Sequence, residues 1–401
     1  MSSAAQNIRP LDGLIVVSLE HAIAAPFCTR QLADLGARVI KVERPGVGDF
    51  ARAYDTRAGG LASHFVWTNR SKESLTLDLK KECANEILFK LLESADVFVQ
   101  NLAPGAAERM GLSFEALHTR FPKLITCNIS GYGKGGSYET KKAYDLLIQS
   151  EGGFLSVTGG AGEGELAKAG CSIADIAAGM YAFTSVQSAL LLRQKTGLGS
   201  NIDVSMLESL VEWMGYPLYY AYSGAPQPPR AGASHSTIYP YGPFPVGDGQ
   251  TVMLGLQNER EWSQFCEHVL LQPNLVMDER FSSNALRSEN RDPLRVIILK
   301  AFSVLSIDDV IARLETAQIA NAKVNDMKGV WDHPQLKARD RWVQVDSPIG
   351  NLPALLPPGT NSAFTSRMDA IPALGEHTDV ILRSLGRSDE DIQALRVQGV
   401  V

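Results

Sequence analysis

The chain has 401 residues, of which 45% are hydrophobic and 20% are charged, and these values are typical of a globular protein with two domains. The formal net charge is −6, from 38 basic and 44 acidic residues, so the charge gives no support to a nucleic-acid partner. No apolar stretch is long and uninterrupted enough to predict a membrane span.

The cysteines and the N-terminal sequence indicate the compartment. The five cysteines are scattered and form no CxxC pair, so we expect neither a disulfide framework nor a zinc site. The first ten residues lack the apolar run of a signal peptide. We therefore expect a cytoplasmic protein.

The first 130 residues alternate strand patterns with helix patterns. The predicted strands are 14–19, 37–42, 75–79, 96–100 and 124–128. The predicted helices are 26–35, 82–94 and 114–120. Repeated β-α-β units of this length predict an α/β fold with a doubly wound, mostly parallel, Rossmann-like sheet. Ligands of such sheets bind at the carboxyl ends of the strands.

A glycine-rich segment at 152–164 follows, and it predicts either a flexible loop or a mobile cover over a substrate. A long helix then runs from Asp175 to about residue 193, and a glycine-containing stretch at 195–199 ends it. We expect a further strand at 201–205 and a helix at 206–216.

The composition changes after residue 222, where the segment 223–232 predicts a linker. Beyond it we expect a hairpin at 242–254, helical segments at 259–269 and 293–316, and C-terminal helices at 378–385 and 390–398. We therefore divide the chain into three parts. These are 1–222, the N-terminal part of a large α/β domain; 223–330, a linker and a smaller α+β domain; and 331–401, a second linker and a C-terminal return to the large domain.

Asp175 is the only charged residue between Lys168 and Arg193. One interpretation is a nucleophile, because backbone N–H groups at a helix N-terminus would keep the carboxylate ionised while apolar neighbours exclude water. The alternative is that Asp175, or Ser172 before it, simply caps the helix. The local sequence favours a cap, since caps are common.

Common cofactor and metal motifs are absent from the sequence. The first strand leads into 20–26 without a GxGxxG fingerprint, and the chain contains no Walker loop, HExxH or GxSxG motif. The seven histidines have no metal-binding spacing. We therefore expect neither a bound metal nor a prosthetic group.

Several segments, in a fixed order over nearly the whole chain, resemble family III CoA-transferases, the group that includes formyl-CoA transferase. The segments are PLDGL (10–14), APFCT (25–29), LGARVIKVERPG (35–46), GD (48–49), NRSKESLTLD (69–78), NLAPG (101–105), RMG (109–111), KTGLG (195–199) and LGEHT (374–378).

The resemblance implies that Asp175 is the nucleophile and that a coenzyme A thioester is the substrate. The carboxylate would form an acyl-aspartyl anhydride, then an aspartyl-CoA thioester, and the acceptor acid would take the CoA through a second anhydride. Such intermediates survive only where water is excluded. Glycine backbone N–H groups could stabilise the oxyanions.

The resemblance also implies six contacts with CoA. They are Arg44, Leu77, Lys80, Asn101, Arg109 and Lys142. Arg44, Lys80 and Asn101 follow predicted strands, where a ligand is expected, and guanidinium groups suit phosphate oxygens. Leu77 would offer an apolar contact to adenine. For each cation the alternative is a solvated surface charge.

Two departures from related sequences bear on the substrate. Formyl-CoA transferase has four glycines and a glutamine where this chain has 235–244, so oxalate and formyl-CoA are not favoured. The related α-methylacyl-CoA racemases pair their aspartate with the histidine of a Gly-His-Asp segment, and this chain has Ala143-Tyr144-Asp145 there. Without that histidine, transfer is favoured over racemisation.

The segments 144–159, 239–244 and 255–262 look most like those of members that act on short dicarboxylates. Candidate acceptors are itaconate, mesaconate, citramalate, malate and glutarate, with succinyl-CoA as donor, and we favour itaconate. His235, Arg52 or Arg70 could bind the distal carboxylate, although a structural role is favoured for each of them.

The resemblance further implies an interlocked, ring-like homodimer with active sites at the junction between subunits. The segments 223–232 and 352–359 are candidate linkers or crossovers. Two alternatives to a CoA-transferase remain open at this point: an isomerase of α-methyl-branched acyl-CoA, and a CoA-binding protein without catalysis.

Overall fold

The computed structural model describes residues 8–401. The first seven residues, which include most of the segment used for the signal-peptide prediction, lie outside the described part. The chain forms two compact units. The sheet unit contains the chain up to Phe154, then Ala169–Tyr216 and Ala338–Val401, and the smaller unit contains Leu155–Lys168 and Pro217–Lys337.

A six-stranded parallel sheet forms the centre of the sheet unit, in the order β3-β2-β1-β4-β5-β6. The strands are β1 (Ile15–Leu19), β2 (Arg38–Glu43), β3 (Lys72–Thr76), β4 (Val97–Gln100), β5 (Ile125–Ser130) and β6 (Asn201–Ser205). The predicted α/β fold with a mostly parallel sheet is therefore confirmed. The strand order reverses between β1 and β4, the place where open sheets of this kind bind ligands.

Helices cover both faces of this sheet. The helices up to residue 220 are α1 (Ala24–Asp34), α2 (Ser63–Thr68), α3 (Glu82–Leu92), α4 (Ala106–Arg109), α5 (Phe114–Arg120), α6 (Asp145–Glu151), α7 (Phe154–Val157), α8 (Ile173–Thr196), α9 (Met206–Trp213) and α10 (Gly215–Tyr220). Most of α7 and of α10 belongs to the smaller unit. Val16 lies in the core that includes α1 and α8, whereas Val17 lies in the core that includes α3. This alternation explains why the strands are apolar runs, since both faces are buried.

Strand β3 lies three residues before its predicted position, at Lys72–Thr76 instead of 75–79. The prediction followed the apolar residues, but the strand begins with Lys72, whose side chain is buried and bound to Glu20 at 2.7 Å. A buried ion pair gives a strand a polar sequence that hydrophobic periodicity cannot detect. Lys80 therefore lies four residues beyond the strand instead of directly after it.

Helix α8 packs closely on α1 because small residues line the contact. A Cβ atom added to Gly179 would lie 2.7 Å from the backbone oxygen of Ala24, so only glycine permits this approach. Ala178 and Ala182 are also fully buried in the same core. The helix ends at Gly197, whose φ of +75° is the left-handed conformation typical of a C-terminal cap.

The smaller unit contains a three-stranded antiparallel sheet of β7 (Tyr241–Pro245), β8 (Thr251–Gly255) and β9 (Ala320–Lys323). Its first two strands form the predicted hairpin. Its helices, together with α16 at its boundary, are α11 (Glu259–Gln264), α12 (Asn284–Glu289), α13 (Arg291–Phe302), α14 (Ile307–Thr316), α15 (Met327–Trp331) and α16 (Pro334–Ala338). The predicted helical segment 293–316 is divided because Ser306 and Asp309 form a capping box that starts α14.

The glycine-rich segment enters the smaller unit, where residues 158–167 form a closed turn. Gly160 N–H donates to Glu165 O at 2.9 Å, and Ala167 N–H donates to Thr158 O at 3.3 Å. Its function as a substrate cover stays a prediction.

The C-terminal part of the chain completes the sheet unit. Strands β10 (Trp342–Val345) and β11 (Leu352–Leu355) form an antiparallel pair. Helices α17 (Thr378–Ser384) and α18 (Asp389–Val397) add Ile381, Leu382 and Ile392 to the core on the α3 side. Within residues 8–401, none of the helices combines the length and the apolar character needed to cross a membrane.

Candidate active site

Asp175 lies in the first turn of α8 and is partly buried. The helix begins after Ser172, but among the described residues the capping side chain is Asp145, at the start of α6. One carboxylate oxygen of Asp145 accepts the N–H of Ala174 at 2.8 Å and the N–H of Asp175 at 3.3 Å. The carboxylate of Asp175 is therefore not needed as a cap and remains available for another role.

The charge state of Asp175 differs from the sequence-based expectation. Burial and, to a smaller extent, the neighbouring Asp145 carboxylate raise the pKa of Asp175 to about 7, against the opposing effect of a hydrogen bond from the Ala24 backbone. The nucleophile interpretation supposed that the helix N-terminus keeps this acid ionised, but burial and then the negative charge of Asp145 favour its protonated form. Near neutral pH the side chain is present in both forms.

The loop between β1 and α1 brings a second helix N-terminus to Asp175. Asn101 holds this loop from β4, since its side chain accepts the His21 N–H and donates to the His21 oxygen, both at 2.9 Å. Asp49 holds it from the other side by accepting the Ala22 N–H at 3.1 Å. Ala22 has a φ of +60°, an uncommon conformation for alanine that these contacts stabilise.

A row of aromatic side chains extends from this loop. His21 stacks on Phe50 at 5.1 Å between ring centroids, Phe50 contacts Tyr54 at 5.7 Å, and Tyr54 meets the edge of His64 at 5.4 Å. Burial raises the pKa of Tyr54 to about 12, and the charge of Asp175 contributes to this rise. Tyr54 is thus close enough to Asp175 to respond to its charge, although about half of its surface is exposed.

Beneath the loop lies a buried ionic network that the sequence patterns did not indicate. Lys72 donates to Glu20 at 2.7 Å and to the Pro26 backbone oxygen at 3.0 Å. Lys41 donates to Asp49 at 2.6 Å and lies 3.6 Å from Glu20. These four side chains are buried, so each of them relies on its partners for charge compensation. The network fixes the loop and the start of α1.

A parallel sheet with a carboxylate near its ligand-binding edge occurs in many enzymes, so comparison with known proteins decides the family. The family model for CoA-transferase family III matches residues 11–378. The chain belongs to CoA-transferase family III. It is therefore a CoA-transferase, an enzyme whose substrates include CoA thioesters.

Similar proteins agree with this family. Human succinyl-CoA:glutarate CoA-transferase is 32% identical over 387 residues, which cover 96% of this chain and 88% of that protein. Succinyl-CoA:mesaconate CoA-transferase from Haloarcula hispanica is 31% identical, with coverage of 94% and 96%. The crystal structure of a CAIB/BAIF family protein from Brucella suis superimposes with a TM-score of 0.84 at 34% identity, covering 94% of this chain and 99% of that one.

The six predicted CoA contacts of this CoA-transferase occupy different environments. Arg44, Leu77 and Asn101 directly follow β2, β3 and β4, so they lie at the carboxyl edge of the sheet. The four cations among them are exposed, namely Arg44, Lys80, Arg109 and Lys142. The Leu77 side chain is buried in the core, and the Asn101 amide is bound to the backbone of His21.

A surface groove lies beside Arg44 and Leu77. Its lining residues are Pro45, Gly46, Thr76, Leu374, Gly375, Thr378, Arg396 and Val401. The LGEHT segment thus meets the ends of β2 and β3, and the Thr378 hydroxyl accepts the Thr76 N–H at 3.1 Å. This contact assembles the groove from distant parts of the chain.

The two arginines considered for a distal carboxylate already have carboxylate partners. Arg52 donates twice to Glu43, both at 2.8 Å, and lies over the Phe65 ring. Arg70 is buried and donates twice to Asp34, at 2.9 and 2.8 Å. Both pairs favour the structural alternative for these residues.

His235 belongs to the smaller unit, where it stacks on Tyr241 with 5.3 Å between ring centroids. Its Nδ1 atom accepts the N–H groups of Thr237 at 3.2 Å and Ile238 at 3.1 Å. Because Nδ1 is an acceptor in both bonds, the neutral ring carries its proton on Nε2.

Sequence reasoning selected Asp175 but missed Asp145, Asp49 and the lysines of the ionic network. Asp49 lies in the GD segment that supported the resemblance, yet its role depends on a contact with residue 22. Asp145 was noted only as the neighbour of Tyr144, because its contact with α8 joins positions 30 residues apart.

Proposed function

We propose that this CoA-transferase moves CoA from succinyl-CoA to a short dicarboxylic acid, with Asp175 as the nucleophile. The observation that carries the proposal is the environment of Asp175. This carboxylate has a pKa of about 7, does not serve as a helix cap, and accepts a hydrogen bond from the start of α1. A carboxylate of this kind is more nucleophilic than an exposed one and is still largely ionised above neutral pH.

The reaction proceeds through four acyl transfers. The Asp175 carboxylate attacks the donor thioester carbonyl, the C–S bond breaks, and an anhydride and CoA thiolate form. The thiolate then attacks the aspartyl carbonyl, releases the donor acid and leaves an aspartyl-CoA thioester. The acceptor carboxylate attacks that thioester to form a second anhydride. The released thiolate finally attacks the acceptor carbonyl, which yields acceptor-CoA and restores Asp175.

We assign CoA binding to the carboxyl edge of the sheet. Arg44, Lys80, Arg109 and Lys142 are exposed cations that suit the phosphates. The groove beside Arg44 suits the adenine, with Leu77 supporting it from the core. Asn101 acts at the same edge, where it also holds the loop that leads into α1.

For the acceptor we favour itaconate, and mesaconate, citramalate, malate and glutarate are the other candidates. Support comes from the resemblance to members that act on short dicarboxylates. The names of the human and Haloarcula relatives, which pair succinyl-CoA with glutarate and with mesaconate, also support it. We further propose a cytoplasmic, interlocked homodimer, and a stable monomer in sedimentation velocity would contradict the dimer.

The test is to incubate the protein with succinyl-CoA and each acid, and to identify the CoA products by mass spectrometry. Asp175→Ala is expected to lose turnover by at least about 1,000-fold while it still binds CoA. Peptide mapping after donor treatment should find an adduct on Asp175 in the wild type. Near-normal turnover of the variant would refute the nucleophile. Proton exchange at Cα without an acceptor would indicate an isomerase, and CoA binding without any exchange would indicate a non-catalytic protein.

A further inference from the structure

The carboxylate of Asp145 is held between two helices by a set of hydrogen bonds. One oxygen accepts the Ala174 and Asp175 N–H groups of α8, and the other accepts the Gln149 side-chain amide at 2.6 Å. Gln149 is fully buried, and its own oxygen accepts the Ala169 N–H at 2.9 Å. Asp145 therefore has one fixed orientation, set from within α6 and from the segment that precedes α8.

We propose that Asp145 is a positioning residue for the nucleophile: it fixes the backbone of the first turn of α8 and places a negative charge beside Asp175. This inference rests on the proposed function of Asp175. Asp145 acts on Asp175 and does not contact the substrate.

A neutral residue could have accepted the same N–H groups of α8. Serine, threonine and asparagine cap helices as well as aspartate does, and Ser172 already stands at the start of α8. A carboxylate at this place has a consequence that a neutral cap lacks, because its charge disfavours the ionised form of Asp175. The structure thus combines a capping function with control of the nucleophile.

The groups that act on Asp175 come from three parts of the sheet unit. Asp145 on α6 raises its pKa, in addition to burial, and the Ala24 N–H at the start of α1 lowers it. Tyr54, between β2 and α2, responds to the charge of Asp175, but its own pKa of about 12 keeps it neutral over the working range. Asp145 is therefore the charged neighbour whose removal changes the ionisation of Asp175 most directly.

The decisive variant is Asp145→Asn, which keeps an oxygen for the α8 N–H groups, removes the charge, and gives up only the hydrogen bond from Gln149. The acid limb of kcat/KM for succinyl-CoA should move to lower pH by about one unit, because a nearby like charge raises a carboxyl pKa by about that much or more. Asp145→Glu keeps the charge, so its acid limb should stay near that of the wild type even if kcat falls. Ser172→Ala is the matched control and should leave both kcat and the pH profile unchanged.

A second measurement does not depend on turnover. The Asp175 carboxyl carbon can be observed by NMR in protein labelled with 13C-aspartate and assigned by its loss in Asp175→Asn. Its titration midpoint should be lower by about one pH unit in Asp145→Asn than in the wild type. Equal midpoints, or an acid limb that does not move although kcat falls, would reduce Asp145 to a structural cap.

Adduct mapping and the titration together distinguish a failure of the role of Asp145 from a failure of the proposed function. If the wild type transfers CoA through an Asp175 adduct but the midpoint does not move, only the role of Asp145 fails. If the wild type forms no adduct, the proposed function fails, and the NMR titration still decides whether Asp145 controls the ionisation of Asp175. Circular dichroism of each variant confirms that it is folded.

Discussion

Asp175 is exposed to opposing influences on its charge. Burial and the Asp145 carboxylate favour the protonated form, and the Ala24 N–H favours the ionised form. The first two dominate, so the carboxyl group titrates near neutral pH. A carboxylate with this pKa is reactive when ionised, but its ionised fraction falls quickly in acid.

The first prediction at the residue scale is the pH dependence of the reaction. In the proposed mechanism the carboxylate, and not the acid, attacks the thioester, so kcat/KM for succinyl-CoA should rise about tenfold per pH unit below a midpoint near pH 7 and level off above it. Steady-state rates between pH 5 and 9 measure this profile. A midpoint near pH 4 would show that Asp175 titrates like an exposed aspartate.

The same ionisation predicts a difference in stability. The folded-state pKa of Asp175 is raised above its unfolded value of 3.8, so its favourable contribution is complete below about pH 4 and is lost as the pH rises through about 7. Asparagine imitates the neutral form. Asp175→Asn should therefore be more stable than the wild type at pH 8, by about 1–2 kcal/mol after allowance for solvent access.

Urea unfolding of both proteins at pH 8 and at pH 4 checks this result. The gain should disappear at pH 4, where the aspartate is neutral in the folded protein. An equal gain in the free energy of unfolding at both pH values would mean that the shape of asparagine, and not its missing charge, stabilises the variant.

At the scale of elements, buried charges connect strands that hydrophobic packing alone would not align. Lys72 of β3 and Lys41 of β2 meet Glu20, which directly follows β1. A buried ion pair adds little net stability, but the loss of one partner leaves the other charge buried and uncompensated. The network therefore fixes one arrangement of strand ends and the loop above them.

Lys72→Met tests this arrangement. We expect a loss of about 3–5 kcal/mol in the free energy of unfolding, since Glu20 would remain buried without its closest cation. Lys90→Met on α3 is the control: Lys90 is exposed, and its pair with Glu93 lies at the surface, so the change should stay within about 0.5 kcal/mol. Both values come from urea unfolding at pH 7. A Lys72 variant as stable as the control would show that water compensates Glu20.

The double variant Glu20→Gln/Lys72→Met distinguishes the effect of the unpaired charge from the effect of lost packing. It should recover part of the loss, because no unpaired carboxylate remains between β1 and β3. If the two single changes add without recovery, the network acts through packing and not through charge.

At the scale of the whole molecule, the proposed CoA site is built from segments that are distant in sequence. The groove beside Arg44 is lined both by residues after β2 and by the C-terminal segment around Gly375. The cations proposed for the phosphates are exposed, and one of them, Arg44, directly follows β2 at the carboxyl edge of the sheet. Their contribution should therefore be electrostatic, moderate for each residue and sensitive to salt.

Arg44→Gln and Lys80→Gln should each raise KM for succinyl-CoA by about 3- to 10-fold at low salt, with kcat nearly unchanged. The difference from the wild type should shrink as ionic strength rises. Lys300→Gln, an exposed cation of the smaller unit, should behave like the wild type. A loss of kcat without a change in KM would place Arg44 or Lys80 in the chemical step instead.

The sequence by itself determined the α/β class, the approximate position of every strand in the parallel sheet, the family and the identity of the candidate nucleophile. These features depend on local patterns and on motifs whose order along the chain is visible in the sequence. Helix Phe114–Arg120 and strand Asn201–Ser205 lie where their patterns predict them. Only β3 was displaced, because its buried lysine has the sequence pattern of an exposed residue.

The tertiary structure decided the environment of the site. Asp145 accepts a hydrogen bond from the first turn of α8, although the two residues are 30 positions apart in the sequence. Lys72 binds Glu20, which is 52 positions away. The pKa of Asp175 follows from burial and from charges that are close in space, and neither quantity can be read from sequence neighbours. The sequence therefore identified which carboxyl group to examine, and only the folded arrangement determined the pH at which it ionises.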